Sequence, residues 1–494
     1  MKILIQSRMP ALKGDTLTAV IELDGARPLC RAATLKAHPA SDDLARRRRQ
    51  GALKSAYLAV GASPLLALPG EAVKYWDNDE KVRLLAARAW DAACGRKARR
   101  LVFVLDTAAG AEAAPLAAAG LALRAYRFDK YKKKNDDDDG KAQTPQVTMV
   151  VPTKGLAATR SAVGRQLDLV EATNQARDLV NEPGTVASPA EIERRARALA
   201  RQTGLGITVL SAAQLARQGY RGLLTVGRGS EVPPRMVVLR HRPRRKKGTA
   251  AGAPHLGLLG KGLTFDTGGV CLKPGAKMWE MKGDMAGAAA VLAAMGAIAR
   301  ADLPLCVTGI LVLSSNSIGS RATLPGDIFS ARNGKSVHIG HTDAEGRLIL
   351  TDGLWRMGEE KVTHLVDMAT LTGACQRALG PALTGLFSND PLGEAVARAA
   401  QTQGEPCWRM PIIEEYRPWL DNELADVDNI SSKVHAGATT AALFLREFVP
   451  EGVEWCHLDI AGTFLADGHY KYYRPGATGI MTRSMFALAE SMAD

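Results

Sequence analysis

Hydrophobic positions along this chain change period repeatedly, and the changes predict alternating strands and helices. Strand-like and helical patterns alternate to about residue 162, where KYKKKNDDDDGKAQTPQ (130–146) reads as an exposed charged loop. A helical connector is predicted over roughly 163–181, and NEPG (181–184) breaks it. SPAEIERRARALARQ (188–202) then reads as a helix, RMVVLR (235–240) as a strand, and HRPRRKKGTAAGAP (241–254) as a basic flexible connection. HLGLLG (255–260), LCVTGILVL (305–313) and HLVDMAT (364–370) look like buried strands, whereas the Ala-rich stretch 284–300 and AGATTAALFLREFV (436–449) look helical. The alternation predicts an α/β protein. No internal repeat is visible.

Composition sharpens this reading. A length of 494 residues with 46% apolar content exceeds one ordinary domain and can bury a large core. Two domains are expected: an N-terminal α/β module over 1–162 and, after the connector 163–181, a larger unit over 182–494. Seven cysteines without CxxC spacing argue against a disulfide framework and for a reducing compartment. The start MKILIQSRMPALKG lacks the apolar core of a secretory signal, and no run of about 18 apolar residues marks a membrane span. A cytoplasmic location is therefore expected.

The net charge of +13 is unevenly placed, since residues 1–162 hold 28 Lys/Arg against 17 Asp/Glu and the remainder 36 against 34. Arg46–Arg49 form a tetrad, and Lys130, Lys132, Lys133 and Lys134 precede the acidic run Asp136–Asp139. The plain reading is a solvated face and a charged loop. The functional alternative is a nucleic-acid footprint, tested by salt-sensitive binding to duplex DNA.

Two segments carry the chemistry. HTDAEGRL (341–348) places Asp343, Glu345 and Arg347 at alternate positions, so that on an extended backbone two carboxylates converge beside a guanidinium. GKGLTFDTGGVCLKPGAKMWEMKGDMAG (260–287) adds Lys261, Asp266, Lys273, Lys282 and Asp284 among glycines, just after a predicted strand. In open α/β sheets, sites form beyond the carboxyl ends of strands. Asp266, Asp284, Asp343 and Glu345 are enough to bind two divalent ions with bridging carboxylates, an arrangement that brings the pKa of a shared water toward neutrality. A lysine joins such a set only as the neutral amine.

Together these segments resemble the leucyl aminopeptidase (cytosol aminopeptidase) family, whose signature NTDAEGRL differs here only at His341. GKGLTFDTGG, LKPGAKMWEMKGDM, LVNEPG (179–184), PGDI (325–328), MATLTGA (368–374), AGATTAALFLREFV and HLDIAGT (457–463) share the resemblance, and YRFDKYKKK (126–134) is similar to the end of the family's N-terminal domain. The resemblance implies a smaller N-terminal α/β module, a catalytic domain with a mixed sheet between helices, and a homohexamer of two stacked trimers. It implies Lys261, Asp266, Asp284 and Glu345 on one metal and Asp266, Asp343 and Glu345 on the other. Zinc or manganese would serve, with magnesium and cobalt as alternatives. It further implies Lys273 and Arg347 as catalytic residues, a bicarbonate at Arg347 and Leu371 acting as general base, and a pocket for the first side chain at Met281, Thr370 and Gly373. The implied reaction is hydrolysis of N-terminal residues, leucine and other aliphatics first. Some bacterial relatives also bind DNA, so a regulatory nucleic-acid role on the same fold is the alternative. His341 is expected to tune substrate choice and leave the metals alone.

Other motifs fall away. GKS (334–336) has Phe329 where a phosphate-binding loop needs glycine, and reads as a turn; no GxGxxG, GxSxG or HExxH occurs. His364 and His457 sit in apolar runs and are expected in the core. Cys271 is read as packing.

Overall fold

In the computed structural model the described residues are 2–10, 15–22, 29–30, 38, 44, 46, 57–59, 65–69, 77–133, 144–244 and 252–493. The chain divides into two compact units, 1–171 with 468–475, and 172–467 with 476–494. Arg47–Arg49, Lys134, Asp136–Asp139 and residues 245–251 of the basic connection lie outside the described residues. Lys130, Lys132 and Lys133 are exposed, Lys132 pairing with Asp129 at 3.2 Å.

The first unit is built on strands β1 (Ile3–Gln6), β2 (Thr16–Glu22), β3 (Tyr57–Ala59), β4 (Leu65–Pro69), β5 (Arg100–Val104) and β6 (Gln146–Val150), in the order β1-β6-β5-β2-β4-β3. All are parallel except the edge strand β3. Helices α1 (Asn78–Gly95) and α2 (Ala108–Ala125) begin where the Asp77 and Thr107 side chains accept the orphan amides of Glu80 and Gly110. The late segment 468–475 belongs to this unit, where the buried Lys471 ammonium lies 3.1 Å from Glu80, itself paired with Arg83. The stretch expected as a connector, 163–181, forms part of one helix, α3 (Leu156–Asn181), which runs through the division.

In the second unit, α4 (Pro189–Thr203) opens on a Ser188 cap and closes on left-handed Gly204. Then come β7 (Gly206–Ser211), α5 (Ala212–Gln218), α6 (Arg221–Gly227), β8 (Arg235–His241), β9 (His255–Asp266), α7 (Ala286–Ala301), β10 (Cys306–Asn316), β11 (Ile328–Ser330), β12 (Ser336–His338) and α8 (Glu345–Glu359). The chain continues through β13 (His364–Ala369), α9 (Gly373–Leu379), β14 (Thr384–Phe387), α10 (Pro391–Thr402), β15 (Cys407–Arg409), β16 (Val427–Asp428), α11 (Gly437–Arg446), β17 (Glu454–Asp459), the short pair β18 (Leu465–Ala466) and β19 (Gly476–Ala477), and α12 (Thr482–Ala493). Among the described residues the main sheet has eight strands in the order β15-β14-β17-β13-β9-β10-β8-β7. Its centre, β17-β13-β9-β10, is parallel, and antiparallel pairs flank it, which makes the sheet mixed as expected.

Parallel strands covered on both faces read as continuous apolar runs, and β9 and β10 are buried along almost their whole length. Helix α7 is apolar all round because it is enclosed. A Cβ on its Gly287 would lie 2.1 Å from the Met368 carbonyl oxygen, so only glycine permits this approach to β13. The stretch 278–301 is long and apolar enough to cross a membrane, which a reading of the sequence by runs of apolar residues does not single out; 83% of its most apolar window is buried in the protein. Gly334, with φ of 90°, turns the chain between β11 and β12, where GKS was read as a turn.

The two expected core histidines part ways. His457 is buried on β17, its Nδ1 2.6 Å from Asp367, whose other oxygen accepts from the Trp455 indole at 2.7 Å. Burial disfavours a charged His457 ring, but the Asp367 carboxylate outweighs it and raises the pKa. His364 instead opens β13 half-buried, beside the Thr363 hydroxyl.

A fully buried pair, Glu405 with Arg483 at 3.0 Å, anchors the start of α12, since the second Glu405 oxygen accepts from Met481 and Ser484. Glu405→Ala removes the carboxylate facing a buried guanidinium and is expected to destabilise the protein by about 3–5 kcal/mol. Urea unfolding would check this; a midpoint equal to wild type refutes it.

Candidate metal centre

The site forms at the carboxyl end of β9. Lys261 lies inside that strand, and its ammonium stands 2.9 Å from both Asp284 and Glu345 while donating to the Thr370 carbonyl at 2.7 Å. Asp266 ends the strand. Its Oδ1 accepts from the Gly268 amide at 2.9 Å and from Asn316 Nδ2 at 2.8 Å, and Asn316 is the residue that β10 pairs with Asp266. Lys273 returns from the following loop to place its ammonium 2.9 Å from Asp266 and 2.5 Å from Asp343. Carboxylate oxygens of Asp266, Asp343 and Glu345 lie within 4.8 Å of one another. Asp284 completes the group on the Lys261 side, where it accepts the Thr370 hydroxyl at 2.5 Å.

Local backbone chemistry explains the convergence. Gly268 and Gly269, at φ of 87° and 66°, fold the chain back after β9. Thr342 closes the turn, donating its hydroxyl to the Gly268 carbonyl at 2.6 Å and accepting the Cys271 amide at 2.9 Å. Glu345 is the first residue of α8, where a carboxylate also meets the helix dipole favourably.

The electrostatics are unbalanced. Four carboxylates face two ammoniums in a pocket where Lys261, Asp266, Asp284 and Glu345 are each 5% exposed or less. Burial and neighbouring acids raise the pKa values of Asp284 and Glu345 despite Lys261, and push Asp343 up to about 7. Burial disfavours both lysine charges, yet the surrounding carboxylates prevail and raise their pKa values. Asp284 Oδ2 and Glu345 Oε2 are buried with no hydrogen-bond partner among the described residues. A cluster of hard oxygen donors with surplus negative charge and unsatisfied buried atoms fits divalent cations. Lys261 stands here as an ion pair, so it would act as a ligand only after losing its proton to the field of the bound cations.

Arg347 lies two residues further along α8, buried, with Nη1 donating to the Asn429 carbonyl at 2.8 Å and Nε without a partner among the described residues. Burial pulls its pKa down to about 10, which leaves it charged at neutral pH. Thr370 leads to Leu371 and Thr372, whose amides donate to Asp459 at 3.2 and 3.4 Å. Met281 is half-buried in the 3-10 turn Met278–Gly283, and Gly373 opens α9 exposed. His341 accepts the Asp343 amide on Nδ1 at 3.2 Å, a contact that an asparagine oxygen makes equally well. Cys271 is half-buried with a free thiol.

Lys261, Asp266, Lys273, Asp284, Asp343, Glu345 and Thr370 are therefore brought together. Asn316, Thr342, Asn429 and Asp459, which hold it, were not singled out from the sequence. A signal existed for two of them, since Asn316 and Asp459 are polar residues at the carboxyl ends of apolar strands.

The chain matches the model of the cytosol aminopeptidase family's catalytic domain over residues 174–486 and that of its N-terminal domain over 70–135. It is 40% identical over 440 residues to a probable cytosol aminopeptidase of Streptomyces avermitilis, covering 87% of this chain and 84% of that one. A probable cytosol aminopeptidase of a Mycobacterium species, strain JLS, is 36% identical over 482 residues, covering 94% and 92%. Among solved structures, the bottromycin maturation enzyme BotP in complex with Mn superposes with a TM-score of 0.81 at 33% identity, over 97% of this chain and all of that one.

Gly268→Ala would set a Cβ 2.5 Å from the Cys271 carbonyl oxygen and 3.0 Å from Asp343 Oδ1, on a backbone that L-residues rarely adopt. We expect affinity for Mn2+ to fall by about 10-fold or more with the far-ultraviolet spectrum unchanged. Calorimetric titration of metal-stripped protein would show it, and an unaltered isotherm would contradict the geometry.

Proposed function

The chain belongs to the cytosol aminopeptidase family, and from that premise we propose that it trims leucine and other aliphatic residues from peptide N-termini at two divalent cations. The observation that carries the proposal is the buried surplus of carboxylate charge around Lys261 and Lys273, with two orphaned oxygens at its centre. Lys261, Asp284, Asp266 and Glu345 would hold one cation, and Asp266, Asp343 and Glu345 the other, zinc or manganese in preference to magnesium or cobalt. When bound, such a pair supplies Lewis-acid polarisation of the peptide carbonyl and a nucleophile from water at neutral pH.

The protein's own residues would do the rest. Lys273, kept as an ammonium by its acidic neighbours, is the donor for negative charge developing on the carbonyl oxygen. Arg347 is fixed on one side by Asn429, leaving Nε for a bicarbonate; Leu371, the other residue assigned to that anion, would first have to release its amide from Asp459. That anion would accept the proton, so no side-chain base is required. Asp284, on the Lys261 side, marks the end that receives the free α-amine, which restricts cleavage to the first peptide bond.

Specificity would follow from Met281, Thr370 and Gly373. Thr370 spends its hydroxyl on Asp284, so what remains to line a pocket is its methyl group, and the half-buried thioether of Met281 adapts to several aliphatic shapes. Exposed Leu272 and Trp279 on the same loops favour assembly with further copies, in line with a homohexamer, and the cytoplasm is the proposed location.

Purified protein with Mn2+ and bicarbonate should release leucine from leucinamide, lose that activity on chelation and regain it when Mn2+ is restored. Inactivity across several N-terminal residues and metals would end the proposal. Lys273→Ala should lower kcat by about 10²–10³-fold with Mn2+ stoichiometry intact, as read by steady-state kinetics and elemental analysis; an undiminished kcat removes Lys273 from the chemistry.

A further inference from the structure

Asn429 stands directly after β16, outside every motif that marks the site, and is fully buried. The parallel pairing of β12 with β16 aligns Val337 with Val427 and His338 with Asp428, and the Asn429 amide extends it by donating to the His338 carbonyl at 2.9 Å. This register sets the Asn429 side chain against the loop from Gly340 to Ala344, which carries Asp343 and leads into Glu345. Oδ1 accepts from the amides of Gly340 at 2.9 Å and His341 at 3.2 Å. Nδ2 donates to the carbonyls of His341 at 2.8 Å and Ala344 at 3.3 Å. The main-chain carbonyl accepts Arg347 Nη1 at 2.8 Å.

The whole hydrogen-bonding capacity of the side chain, together with the main-chain carbonyl, is thus spent on the segment that bears two carboxylates and the guanidinium of the centre. Helix α8 needs such help, for its first residue is preceded by Ala344, which gives no side-chain cap. A primary amide is the one side chain that offers two acceptor and two donor positions from a single rigid plane at this length.

We infer that Asn429 is a positioning residue for catalysis: it fixes Asp343 toward the cations and turns Arg347 toward its anion, without itself touching either. The inference rests on the function proposed above. Partners that orient ligands in this way typically cost about 10–100-fold in metal affinity or activity when removed.

The test uses the protein of 494 residues with Asn429→Asp, which keeps the shape and both acceptors but turns a charged oxygen toward two carbonyls, and Asn429→Ser, which adds no charge and replaces the two amide donors by one shorter hydroxyl. Three readouts are taken: Mn2+ affinity of the metal-stripped protein by competition with a chromogenic chelator, the bicarbonate concentration giving half-maximal leucinamide hydrolysis, and the thermal midpoint. The expected result is a folded variant whose weaker Mn2+ site and half-activating bicarbonate concentration both shift by about 10-fold or more. A folded variant with both constants within about twofold of wild type overturns the inference, the threshold being small beside that expectation. If neither variant folds, Asn429 belongs to the fold and not to the site, and the inference falls equally. Failure of the function proposal is distinct, because wild-type protein would then itself release no leucine.

Discussion

Surplus negative charge in a closed space is the constraint on which this structure turns. Asp266, Asp284, Asp343 and Glu345 approach one another at the end of β9, and like charges at such distances in a poorly hydrated pocket repel strongly. Two lysines relieve part of that repulsion and hold themselves charged in doing so. The remainder must be met by protons or by cations. A rigid frame is needed for either outcome, since a flexible loop would let the carboxylates swing apart into water.

The frame comes from secondary structure of two kinds. β9 and β10 run parallel at the middle of the eight-stranded sheet, and their ends deliver Asp266 and its partner Asn316 in register. The strands beyond, β13 and β17, deliver Thr370 and Asp459, and Asp459 clamps the turn that follows β13. A smaller sheet, β11-β12-β16, lies apart from this one in topology yet controls the loop before α8 through Asn429. The centre therefore depends on three separate strand pairings, β9 with β10, β13 with β17 and β12 with β16.

Much of this was legible in the sequence, for reasons that differ residue by residue. The buried strands announced themselves as apolar runs, because a parallel sheet covered on both faces admits little else. Asp343, Glu345 and Arg347 were visible because charged residues crowd a short Gly-containing segment there. Asn429 was not, because one asparagine 82 residues from Arg347 carries no local signature, and its meaning lies wholly in a pairing between short strands. His364 was misjudged as core because an apolar run says nothing about which end of the strand emerges. The apolar character of α7 was read as a helix but not as an enclosed one, since periodicity cannot tell enclosure on all sides from a lipid environment.

The return of residues 468–475 to the first unit bears on biosynthesis. Glu80 and Arg83 are buried in α1, and the Lys471 that joins them leaves the ribosome almost four hundred residues after Glu80. The N-terminal unit is consequently discontinuous in sequence and complete only once residues 468–475 have been synthesised. Its folding cannot be wholly vectorial, and nascent chains carry an unfinished module until the late segment arrives. The same wiring means that the two units cannot be separated by a single cut, so the arrangement resists being shuffled as independent modules during evolution.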